Sequence, residues 1–96
     1  VSEPHGLEAV YERYDRVTRE ALAVASLATR LKPVEATEVL DMARRYVDDS
    51  AYLRKRGDLP RALAALAYAH GWLDAGARLK LFIVTDARLF TVDEQM

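Results

Sequence analysis

Residues 57–76 read Gly57-Asp58-Leu59-Pro60-Arg61-Ala62-Leu63-Ala64-Ala65-Leu66-Ala67-Tyr68-Ala69-His70-Gly71-Trp72-Leu73-Asp74-Ala75-Gly76. A glycine at the left-handed position past one helix, an aspartate at the next N-cap and a proline inside the following first turn mark a sharp helix-to-helix turn. Behind the turn, Leu59, Leu63, Leu66, His70, Leu73 and Ala77 share one stripe of a helix, flanked by Ala62, Ala69 and Gly76. Side chains this small let a neighbouring backbone come close, so the segment predicts a packed helix with a few polar groups set into it.

The helix before the turn is expected over about 34–56. It carries Val39, Ala43, Tyr46, Val47, Ser50 and Leu53 inward, while Asp41, Arg44, Arg45, Asp48 and Asp49 can form ion pairs along a solvated face. Arg54, Lys55 and Arg56 complement the dipole of its last turn. Further upstream, Leu7, Val10, Tyr14, Val17, Ala21, Val24, Ala28 and Leu31 alternate at spacings of three and four, which predicts a first helix over about 4–31 with that seam buried. Ser2 and Pro4 suit its start, and Pro33 stops it.

Past Lys80 the pattern changes to Leu81-Phe82-Ile83-Val84, a polar Thr85-Asp86-Ala87-Arg88 interruption, and Leu89-Phe90-Thr91-Val92. β-branched and aromatic residues around a turn-like stretch read as an extended tail or loose hairpin. These groups are too apolar for a free tail and are expected to fold back along the bundle, leaving apolar area that includes Leu22 and Leu27 on the outside of helix 1. The fold class is therefore all-α. It is a single domain, 1–96, built as an antiparallel three-helix bundle (helices about 4–31, 34–56 and 58–80) with a short extended C-terminal tail, 81–96.

Composition removes whole classes of function. A chain of 96 residues folds as one unit, and the absence of cysteine excludes disulfides, thiolate zinc sites and cysteine nucleophiles. A formal net charge of −1 offers no overall field to attract nucleic acid or an anionic membrane, so any charged partner must be met by a local patch. The longest apolar run, Ala62–Ala69, is far short of the roughly 20 residues of a membrane helix. The expectation is a cytoplasmic protein with no membrane partner. Asparagine is absent and arginine outnumbers lysine, a composition that suits a thermophilic source.

Tyr46 and Asp49, Tyr52-Leu53, Gly57-Asp58, Ala62-Leu63 and above all Tyr68-Ala69-His70-Gly71-Trp72-Leu73-Asp74-Ala75-Gly76 resemble the archaeal family called domain of unknown function 357. The resemblance spans about the last two thirds of the chain. It implies a small cytoplasmic three-helix bundle and brings no activity or catalytic residues with it. The pattern Ala51-Tyr52-Leu53, Gly57-Asp58, Arg61-Ala62-Leu63, Tyr68-Ala69 is also similar to the turn of tetratricopeptide repeats and to helical nucleotide-binding domains. No second copy at the repeat period is present, and Arg61 lies too far from His70 for the arginine-to-histidine spacing of the nuclease-like relatives.

The candidate site residues are Asp49, Tyr68, His70, Trp72 and Asp74. His70 and Asp74 lie one helical turn apart, where a carboxylate can orient an imidazole or both can face a metal; the plainer reading is a core-edge histidine bonded to Asp74 or a tyrosine, with Asp74 paired to Arg78. Gly71 and Gly76 clear space either for a neighbouring helix or for a ligand beside Trp72, whose indole N–H can donate. Asp49 can be brought opposite Tyr68 or Trp72 by the helical hairpin, or pair on the surface with Arg45. His5 is expected to be exposed.

No nucleotide-binding glycine loop, nucleophile elbow, zinc motif or calcium loop is present. No catalytic residue, metal or cofactor is therefore assigned. The leading expectation is a non-catalytic binding or scaffold module that meets an unknown protein partner or forms a weak homodimer. A nucleotide- or RNA-binding helical domain stands second, with Arg54-Lys55-Arg56 as its only compact basic run. A metal-dependent enzyme centred on His70 and Asp74 stands third.

Overall fold

The fold is described from a computed structural model, and residues 5–91 are the ones it describes. Three helices follow one another: α1 (His5–Leu27), α2 (Pro33–Lys55) and α3 (Leu59–Arg78). Expectations that fall on Ser2, Pro4, Val92 and the His5 side chain lie outside the described residues.

α2 and α3 form the principal hairpin and share the largest interface; α1 leans on α3 more than on α2. Their turn is built as the sequence predicts. Asp58 N–H bonds to the Leu53 carbonyl at 2.9 Å and Gly57 N–H to that of Arg54 at 3.0 Å, a Schellman closure with Gly57 at φ +83°. The Asp58 carboxylate then accepts from Arg61 N–H at 3.2 Å and caps α3. The helices run antiparallel, with Tyr46 against Tyr68 near the middle and Val39 beside Gly76 further along.

The buried stripes of α2 and α3 include most of the expected residues: Val39, Ala43, Val47 and Ser50 on one, Ala62, Leu66, Ala69, Leu73, Gly76 and Ala77 on the other; Ala36 and Leu40 are buried in addition, and Tyr46, Leu53, Leu59, Leu63 and His70 are half-buried. α1 differs. Leu7, Tyr14, Val24 and Leu31 of the expected seam are exposed, and the residues actually buried on α1 are Tyr11, Thr18, Ala21 and Ala25. The helix settles on its alanines because they allow close approach, and its two buried polar side chains are satisfied across the interface. Tyr11 Oη lies 3.2 Å from Ser50 Oγ, and Thr18 Oγ1 lies 3.0 Å from His70 Nδ1. Leu22, expected to face outward, packs against the core, whereas Leu27 is fully exposed as expected.

α1 stops at Leu27, four residues short of the expected end. A residue preceding proline is pushed out of the helical region, so the chain entering Pro33 is extended and its backbone needs another partner. The tail supplies one. Leu31 and Lys32 N–H groups share the Leu81 carbonyl at 2.8 and 3.2 Å, Ile83 N–H bonds to Thr29 O at 2.9 Å, and Arg30 and Phe82 form an isolated antiparallel bridge.

α3 ends in a second Schellman closure. Leu81 N–H reaches the Gly76 carbonyl at 2.9 Å and Lys80 N–H that of Ala77 at 3.1 Å, but the left-handed residue is Lys80, at φ +58°. From there the tail folds back as expected: Leu81, Phe82, Leu89 and Phe90 are buried, joining Ala21, Ala25, Leu40 and Leu73 in the main core. The second apolar group returns through a turn in which Leu89 and Phe90 N–H both bond to the Asp86 carbonyl at 3.0 Å, in place of a hairpin.

Candidate functional site

The five residues singled out from sequence divide between two faces. His70 and Asp74 point toward the tail and do not bond to each other. His70 Nε2 sits 2.6 Å from the Leu89 carbonyl oxygen. A carbonyl can only accept, so Nε2 carries the hydrogen, and in that tautomer Nδ1 accepts from the Thr18 hydroxyl. Both ring nitrogens are engaged.

Asp74 pairs with the tail and not with Arg78. Its carboxylate accepts from Thr91 N–H at 2.8 Å and from the Thr91 hydroxyl at 3.1 Å. Arg88 adds a third attachment, bonding to Glu20 on α1 at 3.2 Å and to Asp86 at 3.0 Å, contacts that raise its guanidinium above the ordinary arginine value. His70 and Asp74 therefore hold Leu89–Thr91 against α1 and α3. Among the described residues no three histidine, aspartate or glutamate side chains come together as metal ligands.

Tyr68 and Trp72 belong to the other face, formed by α2 and α3. Tyr68 stands edge-on between two rings: Tyr46 at 4.5 Å between centroids and 88° between planes, and Trp72 at 6.2 Å and 77°. It nevertheless leaves 53% of its surface in solvent. Trp72 is half-buried against the core, and its indole N–H is shut in without a hydrogen-bond partner among the described residues, so it does not offer the donor expected of it. Asp49 is exposed. It lines a shallow depression beside this face with Met42, Arg45, Tyr46 and Asp48, and it makes no ion pair with Arg45.

The two glycines separate in the same way. A side chain on Gly76 would meet the Phe82 ring at 2.6 Å, so this glycine makes room for the tail. Gly71 is exposed with nothing within 4 Å, which removes the close helix approach expected there.

The basic run at the end of α2 is largely used within the fold. Arg54 donates to Glu8 Oε2, approaches Glu12 Oε2 at 3.5 Å and lies 4.8 Å over the Tyr11 ring; the Glu8 hydrogen bond raises its guanidinium above the ordinary value. Arg56 lies 5.6 Å over the Tyr52 ring. Thr18, Thr91 and the Leu89 carbonyl were not foreseen as partners of the site residues, because each lies between 17 and 52 positions away in the chain.

The chain belongs to the family described as "Protein of unknown function (DUF357)", whose sequence model matches residues 13–82. The match takes in most of α1 as well as α2, α3 and the first buried tail residues, so it reaches further toward the N-terminus than the residues that carried the resemblance. No curated protein and no solved structure matches the chain.

Proposed function

We propose that this protein is a non-catalytic binding or scaffold module acting through protein–protein contacts, and that the face carrying Tyr46, Tyr68 and Trp72 makes them. The observation that carries the reading is the exposure of Tyr68 while two rings hold it edge-on. A tyrosine already fixed by its neighbours loses little rotamer freedom when a partner covers it, and tyrosine and tryptophan dominate the energetics of protein interfaces. Arg45, Asp48 and Asp49 supply a charged rim beside these rings. His70 and Asp74 serve this reading indirectly by fixing α3 against the tail.

The contact is a weak homodimer or a complex with another protein. A cytoplasmic setting fits the charge balance and composition, an archaeal source fits the family resemblance, and the absence of asparagine fits a thermophile. The nucleotide- or RNA-binding reading ranks second, since two carboxylates offset Arg54 in its basic run.

A photo-cross-linking residue in place of Tyr68, compared with one in place of the exposed Arg16, tests the proposal in the cell of origin and on the purified protein. A discrete adduct, to a second copy or to another protein, is expected from position 68 and not from 16. Equal labelling at both positions, or none at 68, overturns it.

A further inference from the structure

Helices of 23 residues are about 35 Å long, so the bundle runs along the long axis of a body measuring 47 × 27 × 16 Å. One tip is built from the end of α1, the Thr29–Lys32 segment, the start of α2, the end of α3 and the bridged Leu81–Ile83 segment. Five aliphatic side chains stand out there: Leu27, Leu31, Val34, Leu79 and Ile83, each between 52% and 89% exposed. Among the described residues nothing covers them.

The same tip carries Arg30, Lys32, Arg78 and Lys80, all exposed. Arg30 bonds to the Thr37 hydroxyl and the Ser26 carbonyl, and among the described residues none of the four cations makes an ion pair. Glu35 is the acidic residue in the first turn of α2. At the opposite end Arg54 and Arg61 are matched by Glu8, Glu12 and Asp58, while Lys55 and Arg56 are exposed without an ion pair among the described residues. Among the described residues, four cations against Glu35 thus leave a net cationic and aliphatic surface at one end of a chain of net charge −1.

We propose that this tip docks on an anionic lipid surface, the aliphatic side chains entering the headgroup boundary while the lysines and arginines meet the lipid phosphates. Charge complementarity favours an anionic lipid surface over a second copy. A second copy end-to-end would oppose like charges. Side chains that enter a bilayer are instead surrounded from every side and need no broad flat face. Among the described residues no helix is long and apolar enough to cross a membrane, so the contact is peripheral. It is the local patch that the whole-chain charge does not reveal, and it shares no residue with the Tyr46–Tyr68–Trp72 face.

Co-sedimentation with vesicles of phosphatidylcholine alone, and of phosphatidylcholine mixed with phosphatidylglycerol, tests this on the full chain. Binding is expected only with the anionic vesicles and weakens as salt rises. The Lys32→Gln/Lys80→Gly pair should lower the partition coefficient about 25-fold, the product of a roughly five-fold loss per cation. Lys80→Gly also relieves a left-handed lysine, so this variant loses binding without losing thermal stability, which separates docking from folding. Leu27→Ser/Leu79→Ser should lose binding too, with its melting curve retained. No partition at low salt, or partition unchanged in both variants, overturns the proposal. So does self-association without vesicles that the leucine pair abolishes, which would make the occupant a second copy. A discrete protein adduct from a photo-cross-linker at Leu79, with no vesicle binding, would assign the tip to a protein.

Discussion

The ring of Phe82 occupies the space that a side chain on Gly76 would need: a Cβ there would lie 2.6 Å from Cε2 and Cζ of the ring and 3.2 Å from Cγ1 of Val39. Phe82 is 1% exposed, so it has nowhere else to go. One missing methyl group on α3 thereby fixes the tail, α2 and α3 in a single packing arrangement.

Gly76→Ala should therefore destabilise by about 1–3 kcal/mol, since overpacking outweighs the gain in helix propensity. Gly71→Ala should do the opposite, adding about 0.5–1 kcal/mol, because the position is exposed and unobstructed. Thermal melts of the two variants check the pair. If both shift the same way, the packing described at Gly76 is wrong.

The two Schellman closures give a second matched pair. Lys80→Gly should stabilise by about 1 kcal/mol by removing the steric cost of a side chain at φ +58°, whereas Gly57→Ala at φ +83° should destabilise by about as much. Chemical denaturation with an unchanged slope is the readout.

Thr18→Val keeps the shape of a fully buried side chain and removes the hydroxyl that faces His70 Nδ1. An acceptor left without its donor costs about 1–3 kcal/mol. The double variant with His70→Gln should cost less than the two single changes added together. Strict additivity would mean that the two side chains are not coupled.

Removing residues after Lys80 takes away Leu81, Phe82, Leu89 and Phe90, all buried. Replacing one buried phenylalanine with alanine already costs about 3–5 kcal/mol, and a domain of this size holds only about 5–15 in reserve. The truncated chain should lose its cooperative thermal transition. A truncated chain that melts like the intact one would show that the tail does not belong to the core.

α2 and α3 were legible from sequence because their large apolar residues, among them Val39, Val47, Leu66 and Leu73, are the ones the fold buries. α1 was not, because its apolar residues are spread around the helix and its contact is chosen by Ala21 and Ala25, with Tyr11 and Thr18 buried for their hydrogen bonds. Polar partners reveal themselves only when the distant atom is known. His70 and Asp74 stood out as polar residues in an apolar helix, but the Leu89 carbonyl and Thr91 that engage them belong to a segment read from sequence only as apolar. Tyr68 and Trp72 share a helix face by their spacing, whereas the ring of Tyr46 reaches them only through the α2–α3 register.

The bridge between Arg30 and Phe82 also has a consequence in time. The Gly57 turn closes a loop of a few residues, while the bridge must bring together positions 52 apart, a larger entropic cost met only after the helices exist. The α2–α3 hairpin should form early and the tail should dock last. The order reverses on opening: in native-state hydrogen exchange the Leu31, Lys32 and Ile83 amides should exchange through a local fluctuation, while those at the centre of α3 await global unfolding. The end of the molecule that holds the exposed leucines is then also the end that opens first.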